Sequence, residues 1–188
     1  MMDFLESERI ILKEMTEEDW QAVHKYASQS IVCQYQPWGP NTEEDSQFFV
    51  KQIIKDAKNE PRSRFVYAVF NKKDNEMIGA GEFNLRDQHN KVGEIGYIIH
   101  PDYWGKGIAT EVAKLLIEFG FTSFRLHRIY ATCDPRNSGS IKVLEKIGMT
   151  QEGRMREVLL VKDGWRDSFL YSILEQEWVK WSRRGGNK

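Results

Sequence analysis

The chain has 188 residues, 40% apolar and 29% charged, enough for one domain with a buried core. Its 27 lysines and arginines against 28 aspartates and glutamates leave a formal charge of −1, so no overall field points to nucleic acid or a membrane surface. No apolar run reaches the ~20 residues of a membrane helix, MMDFLESERI lacks the basic-then-apolar order of a secretory signal, and the distant Cys33 and Cys133 fit a reduced, cytoplasmic protein.

Weak alternation over Arg9–Lys13 predicts a first strand. TEED then occurs twice, at Thr16–Asp19 and Thr42–Asp45. Each is a threonine with an acid three residues on, the start signal of a helix. The first helix carries Trp20, Val23 and Ala27 on one face, the second Phe49, Ile53 and Ala57. Between them QYQPWGP, Gln34 to Pro40, is a loop with two prolines and a glycine. It also holds Tyr35 and Trp38, aromatic bulk that needs something to pack against.

Arg64–Phe70, Met77–Arg86 and Val92–Ile99 read as three strands joined by short polar turns. Links this short make antiparallel neighbours. A helix runs from the glycines of YWGKGIATE to about Phe121, and RIYATCD is the next strand. SGSIKVLEKIG is a helix stopped by Gly148. Two long strands flank the hairpin turn at Lys162-Asp163-Gly164, and EQEWVKW closes the chain. The expected fold is α/β with a mixed, mostly antiparallel sheet and one strand–helix–strand crossover at the glycines. We expect one domain over 1–182 and a polar tail at 183–188.

The crossover raises the chemical question. Gly105 and Gly107 flank Lys106 where a strand passes into a helix. A helix N-terminus presents unpaired N–H groups and a partial positive charge. Glycines let the backbone turn to positive φ and let a ligand approach. A phosphate or pyrophosphate held by the amides from Gly105 to Thr110 fits; the plainer alternative is a well-capped turn. A nucleoside-triphosphate loop needs lysine after its second glycine, not between two. The dinucleotide fingerprint needs a third glycine where Thr110 stands, and a parallel unit where hairpins precede.

HPDYWGKGIATEVAKLLIEFGF followed by RIYATCDPRNSGSIKVLEKIGM resembles the acetyl-CoA-binding core of GNAT-type N-acetyltransferases, nearest to the RimJ/RimL type that acetylates protein N-terminal amines. The family's pyrophosphate signature, Gln/Arg-x-x-Gly-x-Gly/Ala, reads here Trp104-Gly105-Lys106-Gly107-Ile108-Ala109, with Trp104 in place of the polar first residue. The resemblance implies a strand that splays from its neighbour, its open edge at Gly96–Ile99 pairing with the pantetheine arm around Tyr97, Ile98 and Ile99. It also implies Asn137 on the pantetheine, Ser140 as helix cap or thiol-end contact, and Lys142 and Lys146 turned towards the adenosine phosphates. For Lys142 a solvated helix face is the alternative.

Direct transfer from a thioester to an amine needs a positioned acceptor, a place for a proton and an oxyanion donor. A backbone N–H near Ile98 or Ile99 suits the oxyanion. The resemblance puts Glu94 first as general base and Glu82 on the neighbouring strand second; edge glutamates also simply face water. An acid found in RimL-like enzymes near the serine of the second motif is replaced here by Leu159 or Leu160, with Glu157 nearby. Tyr97 or Tyr130 are candidates to return a proton to the thiolate, packing being the alternative. The four histidines, scattered without i, i+4 spacing, argue against a metal site. The acceptor, a small-molecule or peptide amine, is expected between the QYQPWGP loop, the N-terminal helices and the last hairpin, with Tyr35, Trp38 and Trp165 as walls. The rival function is a non-catalytic acyl-CoA sensor. The resemblance favours a homodimer.

Overall fold

A computed structural model describes residues 4–183; residues 184–188 of the expected tail lie outside the described residues. Eight strands form one sheet in the order β1-β2-β3-β4-β5-β6-β8-β7. They are β1 (Phe4–Glu6), β2 (Ile10–Glu14), β3 (Arg64–Asn71), β4 (Met77–Asp87), β5 (Val92–Ile99), β6 (Arg128–Cys133), β7 (Thr150–Val161) and β8 (Gly164–Leu174). The helices are α1 (Trp20–Ala27), α2 (Ser30–Cys33), α3 (Glu43–Asp56), α4 (Ile108–Phe124), α5 (Ser138–Lys146) and α6 (Glu175–Arg183).

Both expected start signals are formed. The Thr42 amide donates to Asp45 Oδ2 at 3.0 Å while the Asp45 amide donates to Thr42 Oγ1 at 3.1 Å, satisfying two donors at the head of α3. The Thr16 amide donates to Asp19 at 2.7 Å, but there the chain makes one 3-10 turn, Glu17–Asp19, before α1 begins at Trp20. Two elements were not expected: β1 is only three residues long, and α2 is one turn just before the Gln34–Pro40 loop.

α4 lies against one face of the sheet. Its Val112, Ala113, Leu116 and Ile117 are fully buried among Ile10, Leu12, Phe83 and Ile129, so truncating Leu116 to alanine costs about 2–5 kcal/mol. Phe65, Phe83, Phe119 and Phe124 close the end of this core with ring centroids 5.3–6.1 Å apart. On the other face α1 and α3 bury Val23, Tyr26, Val50 and Ile53 against Val66, Ala68 and Ala80.

The connection β5–α4–β6 is the crossover, and β5–β6 is the sheet's one parallel pair among the described residues. Its ladder has three rungs, Val92–Arg128, Gly93–Ile129 and Glu94–Tyr130. Beyond Glu94, β5 stays paired with β4 as far as Gly79–Ile99, while β6 turns to β8. One edge of Gly96–Ile99 is therefore without a strand partner, and the site is built in that gap.

Candidate active site

Two cavities flank the gap. One, of about 640 Å³, runs from Tyr97–Ile99 along the turn at Trp104, Gly105 and Gly107, the first turn of α4 and the head of α5. The other, of about 730 Å³, lies among β3, β4, β5, β6, α1, α3 and the Gln34–Pro40 loop. Both are lined by Tyr35, Gln36, Tyr97, Ile98, Asn137 and Ser140. They meet where the strands part.

The turn explains its glycines. Gly105 has φ +72° and Gly107 φ +80°, the latter capping α4. A β-carbon at Gly105 would meet no atom within 4 Å, so backbone conformation, not space, requires glycine there. Arg9 Nη1 donates to the Lys106 carbonyl at 2.9 Å, and the same guanidinium pairs with Glu111. In a trans peptide the carbonyl and the following N–H point to opposite sides. With Arg9 holding the Lys106 oxygen, the Gly107 N–H faces away from Arg9, which is not part of the cavity wall. The Lys106 ammonium lies 5.2 Å from the centre of the Tyr103 ring and does not line the cavity.

Trp104 has a definite place. Its indole N–H donates to the Ile99 carbonyl at 2.7 Å, tying the turn to the last residue of β5. Ile108, Ala109 and Thr110 follow in the wall, and Lys142 and Lys146 of α5 line its far part. Asn137 caps α5, its Oδ1 accepting from the Ser140 amide at 3.0 Å. The residues thus form a positively disposed channel: backbone N–H groups at a helix head, two lysines, and an unpaired strand edge.

Glu94 and Glu82, the two candidate bases, are placed differently. Glu94 sits on the last β5–β6 rung, before the strands separate, and lines neither cavity. Its carboxylate is paired with Arg86 at 2.5 Å and is 19% exposed. Glu82, opposite Gly96 in the β4–β5 register, does line the 730 Å³ cavity. Arg64 Nε donates to it at 2.8 Å and Asn84 Nδ2 at 2.9 Å, which orients the carboxylate beside the gap.

Tyr97 stands where the cavities join. Burial drives its phenol well above the usual range, so it is protonated at neutral pH, and its O–H donates to the Ser140 carbonyl at 3.5 Å. Tyr130 lies by Glu94, outside both cavities. Burial pushes the Cys133 thiol up to about 11, which removes it as a nucleophile. Tyr35 and Trp38 line the 730 Å³ cavity. Trp165 does not; it is 63% exposed on the hairpin. The hairpin instead contributes Leu159 and Arg166. Glu157 does not share a simple alternation with Leu159, because the β7–β8 register shifts between Met155 and Leu159 and Glu157 takes φ +48°. Arg64, Asp134 and Arg166 are cavity residues with no signal in sequence, each being an ordinary charged residue in or beside a strand.

Residues 9–150 match the family model of the acetyltransferase (GNAT) domain. The chain belongs to the GNAT acetyltransferase family. As a GNAT acetyltransferase it is an acetyl-CoA-dependent acyltransferase, and the strand gap, the amide-rich turn and the joined cavities fit a thioester of coenzyme A. Among relatives it is 38% identical to an uncharacterized N-acetyltransferase, YnaD, of Bacillus subtilis, over 92% of this chain and 97% of that one. It is 28% identical to the spermidine N(1)-acetyltransferase of Escherichia coli, covering 89% and 87%, and 25% identical to that organism's ribosomal protein uS5-alanine N-acetyltransferase, covering 93% and 92%. A GNAT-family acetyltransferase from Bacillus anthracis shares the architecture at a TM-score of 0.81, with 36% identity over 93% of this chain and 99% of that one. Among the described residues of this GNAT protein no helix is long and apolar enough to cross a membrane, and no histidine, cysteine and carboxylate cluster has the makings of a metal site.

Proposed function

We propose that this protein transfers the acetyl group of acetyl-CoA directly to a primary amine within a ternary complex. The observation that carries the proposal is the meeting of the two cavities at Tyr97, Asn137 and Ser140. Donor and acceptor can occupy one continuous space, so no acyl-enzyme is needed. The coenzyme's pyrophosphate goes to the amides from Gly105 to Thr110, its pantetheine along Gly96–Ile99 beside Asn137, and its adenosine phosphates towards Lys142 and Lys146.

Glu82 is the general base, acting directly or through one water. It takes a proton from the attacking amine as the C–N bond forms and the thioester carbonyl becomes an oxyanion, whose collapse then breaks the C–S bond. A backbone N–H near Ile98 meets the oxyanion, and the Tyr97 O–H protonates the departing thiolate. This order, with Glu82 before Glu94, follows from which carboxylate lines the cavity. Relatives named for spermidine and for a ribosomal-protein amine make both small amines and protein N-termini reasonable acceptors. A leucine, Leu159 or Leu160, where RimL-like enzymes carry an acid argues against taking over that branch's substrate. Two free buried cysteines accord with work in a reducing compartment.

The test is thiol release from acetyl-CoA with a panel of amines, alongside a calorimetric titration of coenzyme binding. Turnover that Glu82→Gln lowers about a hundredfold with binding intact supports the proposal. Tight coenzyme binding without turnover of any amine would replace it by an acyl-CoA sensor.

A further inference from the structure

The cavity proposed for the acceptor has an ionic cluster at each of two walls. At the β3–β4 wall one guanidinium serves two carboxylates: Arg64 donates to Asp56 at 3.0 Å and to Glu82 at 2.8 Å. At the β6–β8 wall one carboxylate lies between two guanidiniums, of which Arg136 is 68% exposed and outside the lining. Asp134, whose side chain is wholly buried, accepts from Arg136 Nε at 3.0 Å and Nη2 at 2.8 Å. Arg166 is the second cation there, 10% exposed, with its Nε 3.8 Å from Asp134 Oδ2 and without a hydrogen-bond partner. Its other nitrogens donate to neutral oxygens, Nη1 to the Tyr35 carbonyl and Nη2 to Ser168 Oγ at 3.0 Å.

A buried guanidinium is costly unless an anion faces it. Here the one neighbouring carboxylate, Asp134, stands 3.8 Å away and accepts its hydrogen bonds from the largely exposed Arg136, so the guanidinium of Arg166 lines the cavity with no carboxylate hydrogen-bonded to it. The remaining acid of the lining, Asp45, is engaged by the Thr42 amide in the α3 cap. We infer that the acceptor is a primary amine that also carries a carboxylate, its amine beside Glu82 and its carboxylate beside Arg166. This rests on the amine-acetylation reading above and narrows it. A polyamine would bring a second cation against Arg166 and is disfavoured.

The experiment compares matched pairs on the full chain with saturating acetyl-CoA, following thiol release. Straight-chain ω-amino acids from glycine to 6-aminohexanoate are set against alkylamines of equal length, with spermidine alongside. A second arm uses short peptides with Glu or Gln after the N-terminal residue. At the fitting length, the carboxylated member is expected to lead by tenfold or more in kcat/KM, the size of a charge-assisted contact. A lead among free amino acids assigns the carboxylate to a small molecule; a lead only for the Glu peptide assigns it to a protein N-terminus. Arg166→Gln is expected to bring the ratio towards one, and Arg166→Lys to keep part of it. A purely structural role would lower both members equally and leave the ratio unchanged, which overturns the inference. Equal turnover of the pairs, or preference for spermidine, also overturns it while leaving acetyl transfer standing. No turnover of any amine by coenzyme-loaded protein overturns both. The wild-type comparison decides even if the variants do not fold.

Discussion

The Trp104 indole N–H donates to the Ile99 carbonyl at 2.7 Å, joining the end of β5 to the glycine turn five residues on. The bond fixes the spacing between the unpaired strand edge and the amides at the head of α4, the two surfaces that the proposed binding mode gives to one coenzyme molecule. Trp104→Phe keeps most of the ring and removes the donor. A hydrogen bond of this kind contributes about 1 kcal/mol net, so acetyl-CoA affinity is expected to fall about fivefold. Isothermal titration would show it; an unchanged Kd would mean the ring's packing alone holds the turn.

Gly105 separates conformation from crowding. A methyl there meets nothing, yet φ is +72°. Gly105→Ala is expected to cost about 1–2 kcal/mol, lowering Tm by roughly 2–8 °C in a chain of this size. Coenzyme binding should weaken with it as the turn relaxes. A thermal melt with and without acetyl-CoA tests both parts. A Tm equal to wild type would show that the turn tolerates a side chain at positive φ.

The two glutamates make opposite predictions. Glu82→Gln should lower kcat about a hundredfold, the usual worth of a positioned base, with coenzyme affinity unchanged. Glu94→Gln should retain turnover within about threefold, because its carboxylate serves Arg86 outside the cavities. It should also lose less than ~1 kcal/mol of stability, as partly exposed ion pairs do. Steady-state kinetics on the two variants settles which carboxylate is the base. The reverse pattern would return the role to Glu94.

Acid stability should depend on Glu152. The hydrogen bonds from Arg128, and then from Ser172, lower its carboxyl from 4.5 to about 2. A carboxyl depressed in the folded state adds stability that is fully present above its unfolded value and is lost as the pH falls through the folded one. The loss should therefore run from about pH 4.5 down to about pH 2. In Glu152→Gln the Tm is expected to fall less steeply across that window. Parallel Tm curves for the two proteins would exclude Glu152 as a contributor.

Much of this protein could be read from local pattern. Strand alternation, the two Thr–x–x–acid helix starts and the paired glycines are properties of neighbouring residues, and their elements formed within about three residues of the expected bounds. β1 escaped because three residues carry no period, and α2 because a single turn has none either. The glycine turn at the head of α4 was legible for the same reason, being one contiguous stretch of chain, whereas the cap of α5, expected from Ser140, is made by Asn137.

The acceptor side was not legible, because charge pairing is a matter of distance in space. Nothing near Glu94 in sequence tells that β5 leaves β6 one step beyond it, and that step removes its side chain from the cavity. Arg64 with Glu82, and Arg166 with Asp134, bring together residues 18 and 32 apart along the chain. Only the packing of β3 on β4 and of β6 on β8 decides which charges share a wall. Local periodicity thus sets the elements and the coenzyme turn, whereas the identity of the base and the charge of the acceptor pocket depend on contacts that exist only once the sheet is assembled.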